Sequence, residues 1–124
     1  MPHNMRALVV DDNHYIRKLL KEILIDDGAF VAVEEAADGI AALDLLLAEE
    51  FDLAIVDIDI PGRDGLSLIA EVKRSKPEQS FLVLSALPVS DYAERAAMLG
   101  APFFLAKGCL PVTILAAVRR AIGG

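Results

Sequence analysis

The chain has 124 residues, 55% of them hydrophobic, and a formal net charge of −7. That acidic balance excludes this piece by itself as a ligand of nucleic-acid backbones or anionic membrane surfaces. One cysteine, Cys109, excludes an internal disulfide, and Asp44, Glu49 and Glu50 interrupt the longest apolar region before it reaches the length of a membrane span.

The tail Met1-Pro2-His3-Asn4-Met5 is too short and too polar for a signal peptide, and a lone thiol suits a reducing compartment. The expectation is one cytoplasmic domain over residues 1–124, large enough to bury a core without disulfides or metal staples. The Gly123-Gly124 end is either a true terminus or the edge of a longer protein.

In chain order, Ala7-Leu8-Val9-Val10 reads as a strand that ends on Asp11-Asp12, with Asn13 as a helix cap. Ile16, Leu19, Leu20, Ile23 and Leu24 recur at helical spacing, with Arg17, Lys18, Lys21 and Glu22 on the opposite side, up to Asp27-Gly28. Phe30 to Val33 is a second strand, and Asp38-Gly39 opens a second helix that runs through Leu47. Leu53 to Asp57 is a third strand, apolar without alternation, which Pro61-Gly62 forces out of the sheet. Leu66, Ile69 and Val72 mark a third helix, closed by Ser75-Lys76-Pro77.

Phe81 to Leu84 is the fourth strand, ending on Ser85, and Ser90 or Asp91 caps a fourth helix carrying Tyr92, Ala96 and Leu99 until Gly100. Phe103 to Ala106, ending on Lys107, is the fifth strand, and Pro111 opens a last helix with Val112, Leu115, Val118 and Ile122. Regular alternation of strand and helix requires right-handed parallel crossovers, hence an α/β doubly wound sheet of five strands with helices on both faces.

In a parallel sheet all strand ends of one sense share an edge, and ligands sit there. Asp11, Asp12, Asp57, Ser85 and Lys107 therefore converge. Two carboxylates ~5 Å apart repel by about 3 kcal/mol at an effective dielectric near 20. Lys107 offsets only part of that repulsion, so either one carboxylate is protonated with a raised pKa or a divalent cation occupies the cluster. Oxygen ligands open to water suit Mg²⁺ better than zinc. A metal-loaded carboxylate with a cation and a hydroxyl beside it is suited to hold a phosphoryl group. His3 and His14 read as solvated, and Cys109 as a small packing residue.

The ordered motifs Val-Val-Asp11-Asp12-Asn, Val56-Asp57-Ile-Asp-Ile-Pro61-Gly-Arg-Asp-Gly65, Leu84-Ser85-Ala86 and Phe104-Leu-Ala-Lys107 resemble the receiver domain of two-component response regulators across essentially the whole chain. The resemblance implies a flavodoxin-like fold with strand order 2-1-3-4-5. It implies that Asp57 accepts a phosphoryl group from a sensor histidine kinase or histidine phosphotransfer protein. Asp11, Asp12, Asp57 and the backbone carbonyl of Asp59 would hold Mg²⁺, and Ser85 and Lys107 would contact phosphoryl oxygens. Phe104 matches the aromatic switch position that follows Ser85. Such a domain is a signalling module that catalyses at most its own phosphorylation and dephosphorylation.

The latter half most resembles LuxR/NarL-type regulators. This implies a DNA-binding output domain outside this chain and homodimerisation through the fourth helix, fifth strand and last helix. A stand-alone receiver that signals by docking is the alternative. The chain departs from the family pattern at Asp59, Ile60, Arg63 and Leu87, of which Asp59 and Leu87 are expected to flank the access route to Asp57. A haloacid-dehalogenase-like phosphatase would also use an Asp57-Ile58-Asp59 pair, but on its first strand and with a later acidic motif.

Overall fold

The computed structural model describes residues 4–62, 64–86, 95–98, 100–101 and 103–123. Strands β1 (Met5–Val10), β2 (Phe30–Ala36), β3 (Leu53–Asp57), β4 (Phe81–Ser85) and β5 (Phe103–Ala106) form one parallel sheet in the order β2-β1-β3-β4-β5. The helices are α1 (His14–Asp27), α2 (Gly39–Ala48), α3 (Gly65–Ser75), α4 with described residues 95–98, and α5 (Pro111–Ala121). This is the doubly wound topology that the alternation predicts.

Successive strand residues face opposite sides of the sheet, so each strand feeds two cores. Leu8, Val10, Ala54, Val56, Phe81 and Val83 pack with Ala42 and Leu46 of α2 and with Leu68, Ile69 and Val72 of α3. Ala7, Val9, Leu53, Ile55, Leu82 and Leu84 pack with Leu20 and Leu24 of α1 and with Ile114 and Val118 of α5. Every residue of β3 and β4 is buried, which explains why both strands read as unbroken apolar runs. No helix among the described residues is long and apolar enough to cross a membrane.

The ends of the helices follow local chemistry. Asn13 Oδ1 accepts from Tyr15 N–H at 2.9 Å, and Asp38 Oδ1 from Ala41 N–H at 2.8 Å. Gly28 and Gly100 close helices at positive φ, 90° and 92°, where a side chain would be strained. Pro111 occupies the first turn of α5, as predicted.

Three predicted features shift. β2 continues past Val33 to Ala36, because Glu34 and Glu35 on this edge strand keep their backbone pairing to β1 while their side chains face solvent. On α5 the buried pair is Ile114 and Val118, one turn apart, whereas Val112 lies on the far side and is 68% exposed. Leu19 of α1 is likewise 48% exposed, leaving Leu20 and Leu24 as the buried pair. Ala96 is fully buried, but Ser90, Asp91, Tyr92 and Leu99, together with Arg63 and Leu87, lie outside the described residues.

Candidate functional site

Register alone brings the polar strand ends level. Val10 pairs with Val56, so Asp11 stands beside Asp57. Asp57 pairs with Leu84, one residue before Ser85, and Ser85 pairs with Ala106, one residue before Lys107. Residues as far apart in the chain as Asp11 and Lys107 thus share one edge of the sheet.

Side chains complete the convergence. Carboxylate oxygens of Asp11, Asp12 and Asp57 lie within 4.8 Å of one another, with Asp11 and Asp57 buried and Asp12 exposed. Lys107 Nζ donates to Asp57 Oδ2 at 3.0 Å and is paired with Asp11 Oδ2 at 2.6 Å. The Lys107 N–H also donates to the Ser85 carbonyl at 2.8 Å, tying β5 to β4 directly at the site. Ser85 itself is fully buried. Asp59 N–H donates to Asp57 Oδ1 at 3.2 Å, while its side chain is exposed. Phe104 is half-buried against the core beneath α2 and α3, and it shares a groove of about 550 Å³ with Phe103, Leu105 and residues of α5.

The electrostatics follow from burial. Desolvation pushes the Asp57 carboxyl above its ordinary range, the hydrogen bond and charge of Lys107 oppose the rise, and the neighbouring Asp11 adds to it. Burial alone would lower Lys107, but its hydrogen bonds to Asp11 and Asp57 outweigh this, and its pKa stands raised. The single ammonium thus leaves the cluster short of positive charge.

The donor set fits a hard cation. All the ligand atoms brought together are oxygens, two are held in place by burial, and exposed Asp12 leaves one side open to water. That arrangement suits Mg²⁺, which binds through few carboxylates and keeps several waters.

Two contributors escape sequence reading. Gly65, at the start of α3, sits so close to β3 that a Cβ there would lie 2.6 Å from the Asp57 carbonyl oxygen and 2.8 Å from Ile58 Cα. A glycine after Asp64 marks a helix start, but only the fold shows what it must clear. Arg17, placed by periodicity on the solvent face of α1, instead turns inward, with its side chain 15% exposed. Its Nη1 donates to the Asp11 carbonyl at 2.8 Å and its Nε to Glu35 Oε1 at 3.1 Å. His14 is exposed and stacks edge-on with Tyr15, and Cys109 is half-buried against the α1 and α5 side of the core.

Known proteins share this fold. Residues 7–119 match the family described as response regulator receiver domain. The chain is 37% identical over 105 residues, 83% of its length, to a protein-glutamate methylesterase/protein-glutamine glutaminase of Methanospirillum hungatei, and it spans 31% of that protein. It superposes on the signal receiver domain of NarL from Mycobacterium tuberculosis with a TM-score of 0.90 and 32% identity, covering 99% of each chain. TrrA from Thermotoga maritima, solved in complex with Mg²⁺-BeF, gives a TM-score of 0.85 at 30% identity over 95% of this chain and 99% of that one. The likeness extends to a methylesterase as well as to NarL, so the receiver domain, rather than one type of output, is the level at which these relatives agree. Fold, acidic cluster and family match together make the chain a member of the response regulator receiver domain family, a module of phosphorelay signalling.

Proposed function

We propose that Asp57 is the phosphoacceptor and that Asp11, Asp12, Asp57 and the Asp59 carbonyl hold Mg²⁺ beside it. The observation that carries this reading is the cluster of three carboxylates within 4.8 Å, bridged by one lysine and centred on the end of a buried strand. Asp57 attacks the phosphorus of a phosphohistidine on a sensor kinase or phosphotransfer protein. The P–N bond breaks, and the electron pair returns to the imidazole. Bound Mg²⁺ would supply positive charge to the phosphoryl oxygens in transfer. Lys107, released in part from Asp57, and the Ser85 hydroxyl take up the remaining oxygens.

Movement of Ser85 toward the phosphoryl group vacates space that Phe104 fills, which alters the face formed by α4, β5 and α5. That face is assigned to homodimerisation or to docking of an output, with a LuxR/NarL-type DNA-binding domain as the favoured effector. The 32% identity to the NarL receiver over nearly the full length supports this choice.

Incubation with Mg²⁺ and acetyl phosphate, followed by intact mass measurement and peptide mapping after borohydride reduction, tests the assignment. The expected product is one phosphoryl group on Asp57, lost in Asp57→Asn. Steady release of phosphate with turnover supports a phosphatase instead. An unlabelled protein that releases none is a bare docking module.

A further inference from the structure

Asp11 is held at every polar atom. Its N–H donates to the Ala36 carbonyl at 3.1 Å, its Oδ1 accepts from Asn13 N–H at 2.9 Å, its Oδ2 pairs with Lys107 Nζ at 2.6 Å, and its carbonyl accepts from Arg17 Nη1 at 2.8 Å. The last of these has a consequence beyond Asp11. That carbonyl belongs to the planar peptide joining Asp11 to Asp12, so holding its oxygen fixes the plane and with it the Asp12 N and Cα from which the side chain leaves, with φ of Asp12 as the one backbone rotation still open. Among the described residues no donor reaches the exposed Asp12 carboxylate, so its place in the acidic cluster rests on the backbone beneath it.

Arg17 is itself oriented. Glu35, on the edge strand β2, accepts from Nε at 3.1 Å while Nη1 reaches Asp11, so the planar fork spans one partner on β2 and one just past the end of β1. A surface ion pair that only fastened α1 to β2 would contribute little. Here one arm of the same guanidinium ends on the peptide that presents a ligand of the acidic cluster.

We propose that Arg17 is a positioning residue for the cation site, holding the 11–12 peptide so that the Asp12 carboxylate converges with Asp11 and Asp57. The proposal rests on the receiver reading of that site. Its charge acts in the opposite direction, since a guanidinium near the cluster repels a cation. Geometry and electrostatics therefore predict opposite effects of removing it, and geometry dominates because loss of a partner that orients a ligand costs about tenfold or more in metal affinity.

The test is calorimetric titration of Mg²⁺ into wild type, Arg17→Met, Arg17→Lys, Glu35→Gln, Asp12→Ala and the Arg17→Met/Asp12→Ala double variant, each with a thermal melt. Arg17→Met and Arg17→Lys are expected to bind about tenfold more weakly, because lysine keeps the charge but not the fork. Glu35→Gln should shift in the same direction by less. In the double variant, Arg17→Met should add almost nothing to Asp12→Ala, since both act through one ligand. Arg17→Lys and Glu35→Gln carry the test if Arg17→Met does not fold. The proposal is overturned if the Arg17 variants melt earlier yet keep wild-type affinity, if Arg17→Met binds Mg²⁺ more tightly, or if the two substitutions are additive. Absence of saturable Mg²⁺ binding by wild type would instead remove the receiver reading of the site, and this proposal with it.

Discussion

Lys107 and Asp57, fifty positions apart in the chain, are joined by a hydrogen bond of 3.0 Å from Nζ to Oδ2 at the edge of the sheet. Because the same ammonium also pairs with Asp11, one cation serves two buried carboxylates. The site is thus short of positive charge, and Asp57 carries the consequence as a raised pKa caused first by its burial.

The sign of that shift sets a pH dependence. A carboxyl whose pKa is raised on folding binds its proton more tightly in the folded state, so its contribution favours folding below the unfolded value of 3.8 and is lost as pH rises through the folded value. Without divalent cations, Asp57→Asn should therefore melt above wild type at neutral pH, and the difference should shrink as pH falls toward 4. Thermal melts in chelator from pH 4 to 8 check this. A gap that widens on acidification contradicts it.

Removing a ligand should weaken the cation site. Asp12→Ala is expected to bind Mg²⁺ at least about tenfold more weakly than wild type, roughly 1.4 kcal/mol. It should lose little stability, because Asp12 is exposed. Calorimetry on the two proteins decides the point, and equal affinities would sink the metal assignment.

Asp64 caps α3 through Oδ1, which accepts from Ser67 N–H at 3.0 Å, and through Oδ2, which accepts from the Ser67 hydroxyl at 2.8 Å. Asp64→Ala should cost about 1 kcal/mol. The backbone hydrogen bond from Ser67 is the largest cause of a lowered Asp64 pKa, so this stabilisation is present above 3.8 and is lost as pH falls through the folded value. Urea titrations at pH 7 and pH 3 should show the full penalty at the first and a smaller one at the second.

Gly65 permits the close approach of α3 to the end of β3. Gly65→Ala forces a methyl group into backbone at 2.6 to 2.8 Å, and overpacking of this kind costs about 1–3 kcal/mol. The displaced Asp57 backbone should also slow labelling by acetyl phosphate. Denaturant unfolding and labelling rates measured together test it, and an unchanged midpoint would contradict the close contact.

If Phe104 acts as the proposed switch residue, it couples the site to the face of β5 and α5, with which it shares a groove. Beryllofluoride with Mg²⁺ is expected to shift amide resonances along β5 and α5, while Phe104→Ala binds the same mimic but shows a reduced shift on α5. The mimic can move the equilibrium only by its differential affinity for the two arrangements, so a fraction of the wild type should already occupy the second one. Unchanged α5 resonances in the wild type would exclude the coupling.

The alternation of short apolar runs with amphipathic stretches was enough to specify a parallel sheet wound on both sides, because each period reports which faces an element must bury. From there, Asp11, Asp57, Ser85 and Lys107 had to share an edge, since every one of them ends a strand of the same sense. The tail of β2 was not legible: Glu34 and Glu35 look like loop residues, and only pairing with β1 keeps them extended. Nor was the buried side of α5, where Val112 and Ile114 are equally apolar and only the position of the sheet selects Ile114.

At the site, residue type announced a carboxylate cluster with a lysine, but tertiary structure decided that Lys107 bridges Asp11 and Asp57 and that burial raises Asp57. It also turned Arg17 from a solvent-facing helix residue into one that grips the Asp11 carbonyl. The division has a physical cause. Periodicity and turn chemistry act over a few neighbouring residues and are written locally, whereas desolvation, distance and the direction of a long side chain depend on groups that only the folded chain brings within reach.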